Sequence, residues 1–100
     1  MPFVQIIEYR TSHIEELRAL RREFREQSAG ATGAKPLRGI IAADGDRPGT
    51  YLSVVEFASA EAAAEASGRP ETQVFFGRLT ELMDGPPRFT NLEVIETWGM

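Results

Sequence analysis

Two stretches of the chain are apolar at nearly every position. One runs from Tyr51 to Phe57 and the other from Phe3 to Ile7. Both are rich in β-branched and aromatic residues, and neither alternates cleanly between apolar and polar positions. Such runs are typical of strands that are covered on both faces. The pattern therefore predicts two central strands of a small sheet, each followed directly by a helix.

Helical periodicity follows each of these strands. Ser12 and Glu15 have the spacing of a capping box, which predicts a helix that runs to about Gln27. The apolar stripe of this helix is Ile14, Leu17, Leu20 and Phe24. Ser59 is a good cap for a short alanine-rich helix, and Pro70 fits the first turn of another. The second helical segment is therefore expected to be broken in two.

The remaining apolar runs complete a βαββαβ order. We expect a second strand over Leu37 to Ala43, joined by a turn to the strand at Tyr51, so that the two form a hairpin. The last strand is expected from Phe89 to Trp98. This order predicts an α+β fold, the ferredoxin-like sandwich, as a single domain over residues 1–100. Strands one and three are then expected to be central, adjacent and parallel.

Composition narrows the function classes. The chain has 100 residues, a formal net charge of −4, one histidine and no cysteine. The negative charge argues against non-specific binding to nucleic acid or to an anionic membrane. No apolar run approaches the roughly 18–20 residues of a membrane span. With no thiolate and a single imidazole we expect no metal site, and the lack of cysteine fits a cytoplasmic protein.

In this sandwich the helices cover only one face of the sheet, so the other face is left exposed in a single chain. Positions alternate between the faces. Gln5 and Ser53 are the polar residues of the central strands, and both fall at odd positions, which we expect to lie under the helices. The even positions are mainly aliphatic and include Val4, Ile6, Leu52 and Val54. An exposed patch of that kind usually marks an interface, so we expect a homodimer joined through its sheet faces.

The chain resembles the dimeric α/β-barrel proteins, and among them the antibiotic biosynthesis monooxygenase-like group. The resemblance covers nearly the whole chain. It rests on the βαββαβ order, on the strand-to-helix join over residues 55–62, and on the broken helical segment at Pro70-Glu71-Thr72-Gln73. It implies a dimeric α/β barrel with a pocket between sheet and helices in each subunit. Cofactor-independent members of the group oxidise polycyclic aromatic substrates in that pocket, which implies no cofactor here.

Haem-degrading members of the same superfamily imply a different site. They place an amide on strand one, a tryptophan at the end of strand three and a histidine ligand on the following helix. Gln5 matches the amide loosely, but Phe57 stands at the tryptophan position, and Phe75 and Phe76 stand where the histidine should be. We therefore do not expect haem chemistry.

The pocket candidates follow from the face that carries Gln5 and Ser53. A buried polar group needs a partner, so these two side chains either bond each other or nearby backbone, or line an aromatic-walled pocket. The full candidate set is Gln5, Tyr9, Tyr51, Ser53, Phe57, Phe75, Phe76 and Asn91. Two functions remain open. One is a cofactor-independent monooxygenase acting on a small aromatic or polyketide-like molecule, in which these residues orient hydroxyls or stabilise an enolate. The other is a non-catalytic dimeric module that binds a small ligand or assists a partner enzyme.

The remaining candidates are weaker. His13 has a side chain suited to general-base catalysis, but at the first turn of a helix it is more often simply exposed. Four arginines of the first helix could form an anion-binding ridge, although a solvated face balanced by glutamates is the favoured interpretation. They are Arg18, Arg21, Arg22 and Arg25. Trp98 is expected to serve packing or dimer contact.

Overall fold

A computed structural model describes residues 2–30 and 33–99. Within these residues the chain forms four strands and three helices in the predicted order. They are β1 (Phe3–Arg10), α1 (Ile14–Ser28), β2 (Arg38–Ala43), β3 (Thr50–Phe57), α2 (Ala60–Ser67), α3 (Pro70–Glu81) and β4 (Arg88–Glu93). The fold is the ferredoxin-like α+β sandwich expected from the sequence. No helix in this part of the chain is both long and apolar enough to cross a membrane.

The strands form one sheet in the order β2-β3-β1-β4, and every neighbouring pair is antiparallel. β1 and β3 are central and adjacent as predicted, but the expectation that they run parallel was wrong. The α1 crossover brings β2 back in the direction of β1, and the β2–β3 hairpin then reverses the chain. Ile7 therefore lies opposite Ser53, and Tyr9 lies opposite Tyr51.

The helices cover the odd-numbered face of β1 and β3, as predicted. Ile7 and Tyr9 on β1 are buried against Leu17 and Leu20 of α1 and Leu79 of α3. A second cluster lies under α2, where Phe57 packs against two alanines. The small side chains of α2 let that helix approach the sheet closely. Polar and aromatic side chains of the odd face thus lie in the core.

The even-numbered face carries aliphatic side chains that no helix covers. Val4, Ile6, Leu52 and Val54 are only half-buried on this face, and Ile40 on β2 is 55% exposed. Ion pairs stand near its ends, where Arg47 meets Glu8 and Arg38 meets Glu56. The face is therefore an aliphatic patch with a charged rim, which is the usual composition of an interface.

The starts of α2 and α3 agree with the prediction from the sequence, and the start of α1 does not. The Ser59 hydroxyl accepts a hydrogen bond from the Ala62 amide at 3.0 Å, and Pro70 is the first residue of α3. The expected capping box of Ser12 does not form. Instead the buried Thr11 hydroxyl accepts from the His13 amide at 2.9 Å and donates to the carbonyl of Leu82. Contact with the end of α3 thus decides how α1 begins.

The last strand is shorter than expected. β4 ends at Glu93, which lies opposite Phe3, the first residue of β1. Among residues 2–30 and 33–99, no strand lies beside the chain beyond that point, although the Val94 amide still donates to the carbonyl of Pro2. Residues 94–99 leave the sheet, and Trp98 is 83% exposed within the single chain.

The cap at α2 can be tested by substitution. Ser59→Ala should lower the free energy of unfolding by about 1 kcal/mol, because the Ala62 amide loses its acceptor. The measurement is urea unfolding followed by circular dichroism at one fixed protein concentration.

Ser12→Ala is the matched control, since the structure gives the Ser12 hydroxyl only a long contact of 3.5 Å with Asp84. A loss from Ser12→Ala as large as that from Ser59→Ala would contradict the assignment of the caps.

Candidate active site

A buried polar network joins the sheet to α1. The hydroxyls of Tyr9 and Ser53 share a hydrogen bond of 3.0 Å, and these residues are only 2% and 1% exposed. Arg21 Nη2 of α1 donates to Ser53 Oγ at 3.3 Å. The strand register explains the meeting. Ser53 lies opposite Ile7, so Tyr9 is its diagonal neighbour on the face that α1 covers.

Arg21 is a functional candidate that the sequence offered only as one of four arginines on a face interpreted as solvated. It was placed on a solvated ridge, and Arg18, Arg22 and Arg25 are indeed exposed, but Arg21 turns inward. The periodicity contained the signal, since position 21 lies four residues after Leu17 and three before Phe24, within the apolar stripe. The charged residue type, not the spacing, led to the wrong prediction.

The surroundings of Arg21 do not neutralise its charge. Its Nε is buried and has no hydrogen-bond acceptor among residues 2–30 and 33–99. Its guanidinium carbon lies 6.0 Å from the ring centroid of Phe75, at the outer range of a cation–π contact. Burial lowers the pKa of Arg21, while Tyr9 raises that pKa and the charge of Arg25 lowers it. The site therefore contains a positive charge in hydroxyl and aromatic surroundings.

An open cleft of about 780 Å³ lies beside this network, between α1 and α3. Its apolar wall includes the rings of Phe24 and Phe75, which stack with centroids 4.1 Å apart and an interplanar angle of 9°. Glu23 and Arg78, whose charged groups are 4.0 Å apart, line the cleft, as does Arg69. A flat apolar molecule with a polar substituent fits such a lining.

A second, smaller cleft of about 220 Å³ lies at one end of the central strands. Tyr9 lines it together with Thr50, Asp84 and Arg88. The Tyr9–Ser53–Arg21 network thus begins at this cleft and ends beside the larger one.

The structure brings some of the sequence candidates together and separates others. Tyr51 stacks on Tyr9 with centroids 6.2 Å apart, so these two and Ser53 form one group near Phe75. Gln5 and Ser53 share a face as expected, but they do not bond. Gln5 Nε2 donates instead to Asn91 Oδ1 at 3.2 Å, because the two residues lie opposite each other on β1 and β4.

The two other aromatic candidates belong to packing contacts. Phe76 packs on Phe89 with ring centroids 5.4 Å apart, and Phe57 lies in the cluster under α2. Neither residue lines either of the two clefts described above.

His13 stands apart from this site. It is exposed, and its Nδ1 lies 3.3 Å from Glu16 Oε1 on the next turn. It lines neither cleft. Within the described residues no group of three or more histidine, aspartate or glutamate side chains is placed to hold a metal ion.

Several solved structures have the same fold as this chain. The chain is similar to a protein from Nitrosomonas europaea whose name assigns it provisionally as an antibiotic biosynthesis monooxygenase. The TM-score is 0.74 and the identity 17%, over 98% of this chain and 94% of the other. It is also similar to SnoaB, a cofactor-independent oxygenase from Streptomyces nogalater, with a TM-score of 0.77 and 12% identity over 96% and 95% of the two chains.

A third structure carries the same provisional name. It comes from Deinococcus radiodurans, and the match has a TM-score of 0.73 and 18% identity over 100% of this chain and 98% of the other. The chain has the fold of these monooxygenase-like proteins. No family model matches the sequence, and no curated protein matches it. At these identities the likeness establishes the fold, while the chemistry has to be argued from the site.

The hydroxyl pair at the centre of the site can be tested by removing one member. Tyr9→Phe should lower the free energy of unfolding by about 1 kcal/mol, because Ser53 loses a buried hydrogen-bond partner while the ring is kept. Thermal or urea unfolding measures the change.

Tyr51→Phe is the control, since the Tyr51 hydroxyl makes no hydrogen bond to any described residue. Its unfolding free energy should stay within about 0.5 kcal/mol of the unmodified protein. If both variants lost the same amount of unfolding free energy, the Tyr9–Ser53 hydrogen bond would not contribute measurably to stability.

Proposed function

We propose that this protein binds a flat aromatic or polyketide-like small molecule between α1 and α3 and oxidises it with dioxygen without a cofactor. The observation that carries the proposal is the aromatic wall of Phe24 and Phe75 beside a buried set of polar groups. The likeness in fold to a cofactor-independent oxygenase supports it. The absence of cysteine is consistent with a cytoplasmic location.

The aromatic and the polar residues of the site would have different roles. The rings of Phe24 and Phe75 would hold the substrate by stacking and keep water away from it. The hydroxyls of Tyr9 and Ser53 do not line this cleft and would act on substrate oxygens through Arg21, which donates to Ser53. Fixed donors of this kind stabilise an enolate as its negative charge develops, without having to reorganise during the reaction. The substrate anion would itself supply the electrons to dioxygen.

A specific observation favours a second candidate, a non-catalytic module that binds a small ligand or assists a partner enzyme. Within the part of the chain that the structure describes, no imidazole or carboxylate bonds to the Tyr9–Ser53–Arg21 network. The network itself therefore contains no proton-abstracting base, and the cleft carboxylate of Glu23 is already paired with Arg78. In this case the same cleft would bind the ligand without turning it over.

The proposal also includes a homodimer joined through the even-numbered sheet faces, which would complete a dimeric α/β barrel. Burying an aliphatic side chain contributes about 1.5–3 kcal/mol. Several half-buried residues from each of two subunits would together contribute on the order of 10 kcal/mol before the entropic cost of association. Burial of this patch would leave the charged residues near the ends of the face in contact with water.

Oxygen uptake tests the catalytic part. With anthrone as probe and no added metal or cofactor, the protein should consume one dioxygen for each anthrone converted to anthraquinone, with water as the other product. Phe75→Ala should weaken anthraquinone binding at least tenfold, because the cleft loses half of its stacked wall. An oxygen electrode and equilibrium dialysis provide the two readouts.

Phe76→Ala is the matched control for binding, since Phe76 is a neighbouring half-buried ring that does not line the cleft. Binding without oxygen uptake would favour the non-catalytic module. Binding that is equally weakened by both substitutions would contradict the placement of the site.

The dimer can be tested at the sheet face. Val54→Asp should dissociate or unfold the protein, because it places a charge in the centre of the aliphatic patch. Ile40→Lys should dissociate it while leaving the fold intact, since this side chain is already 55% exposed in the single chain. Light scattering and circular dichroism distinguish these results.

Arg22→Asp, on the exposed side of α1, should change neither mass nor fold. A folded monomer of the unmodified protein at micromolar concentration would refute the dimer.

A further inference from the structure

We infer that Arg21 makes the site selective for a ligand that carries a negatively charged oxygen on its flat ring system. The inference rests on the proposed function, because it concerns the same cleft and the same class of ligand. The charged oxygen can belong to an ionised hydroxyl or to a carboxylate, and either one accepts charge-assisted hydrogen bonds from a guanidinium.

Arg21 leaves some of its hydrogen-bond donors unused. A guanidinium has five N–H donors, which suit a carboxylate or a similar oxyanion. Here one donor reaches Ser53 Oγ at 3.3 Å, and the buried Nε has no acceptor among the described residues. Buried polar groups of proteins are normally satisfied, and a buried charge normally has a partner. The unused donors therefore indicate a group that is supplied from outside the chain.

The groups around the guanidinium do not compensate its positive charge. The groups that face it are the Tyr9 and Ser53 hydroxyls from the sheet, the Phe75 ring from α3, and the Arg25 charge from α1. None of these groups is a carboxylate.

The acids of α1 that form ion pairs in the described structure pair with residues other than Arg21, although Glu23 also lines the cleft. Glu15 pairs with Arg18, Glu16 with His13, and Glu23 with Arg78. An anionic ligand would be the compensating charge.

Arg21 lies next to residues that line the cleft between α1 and α3. On α1 Arg21 stands next to Leu20 and one turn before Phe24, and both of those residues line the cleft. The Phe75 ring over which Arg21 lies also lines it. Arg21 itself does not line the cleft, so Phe75 would have to move aside for an oxygen on a ring system packed against the aromatic wall to reach the guanidinium.

The charge of Arg21 should affect ligand binding and folding stability in different ways. A charge without a partner in the interior destabilises a fold, and replacing such a charge by an apolar side chain of similar length is often neutral or stabilising. A purely structural arginine would behave in the opposite way. The Arg21→Met variant should therefore fold normally and retain the midpoint of thermal unfolding or raise it.

The experiment compares three anthraquinone probes by equilibrium dialysis at neutral pH. Anthraquinone-2-carboxylate is always an anion, alizarin changes colour when its hydroxyl ionises, and 1,2-dimethoxyanthraquinone cannot ionise. The unmodified protein should bind the carboxylate, ionised alizarin, or both at least tenfold more tightly than the dimethoxy compound. If alizarin is a ligand, binding should also shift its colour change to lower pH.

Three variants test whether the preference for charged probes depends on Arg21. Arg21→Met should abolish both the tenfold preference and the colour shift while the dimethoxy probe binds as before, and Arg21→Lys should retain part of the preference. Arg22→Met is the matched control, because it removes the adjacent exposed charge, and it should change nothing.

Each outcome bears on one of the two proposals. A preference for the carboxylate alone, or for ionised alizarin alone, identifies which source of the anion the site accepts. Equal binding of charged and uncharged probes, or a preference that survives in Arg21→Met, would overturn the inference and leave the proposed ligand class intact. Failure of all three probes to bind the unmodified protein would overturn the proposed function, and the inference with it.

Discussion

Side chains of a strand alternate between the two faces of its sheet, and the rest of this structure depends on that alternation. Odd positions of β1 and β3 place Tyr9 and Ser53 beneath the helices, and even positions place aliphatic side chains on the uncovered side. A register shift of one residue would exchange the two sets. Glu8 and Glu56 would then face the helices. The same pairing therefore determines the core, the polar network and the patch available for association.

Arg21 places a charge in the apolar stripe of α1, and this lowers the stability of the fold. Its position belongs to the apolar stripe of α1, where a leucine or methionine would pack without a desolvation cost. Arginines that serve structure usually meet a carboxylate through two parallel hydrogen bonds. This one meets a single hydroxyl and an aromatic ring. Local departures from good packing rules concentrate at functional sites, and the residue that breaks the pattern of α1 also lies beside the cleft.

The sequence predicted what depends on local patterns and missed what depends on distant contacts. The order of strands and helices, the Ser59 cap and Pro70 at the start of α3 were confirmed because each follows from neighbouring residues. The direction of β3 relative to β1 depends on the whole crossover. The start of α1 depends on Thr11 meeting the end of α3. The site candidates separated for the same reason, since the bond between Gln5 and Asn91 arises from strands at opposite ends of the chain.

The exposed tail after β4 has a consequence for spectroscopy. Trp98 is the single tryptophan of the sequence, and it lies beyond the sheet with 83% of its surface exposed in one chain. Its indole is already hydrated when the domain is folded, so its emission would hardly change when the core melts. A blue shift would instead report that another surface has covered the tail. Intrinsic fluorescence of this protein is therefore an optical probe of what the end of the chain touches, while the core has to be followed by its tyrosines or its backbone.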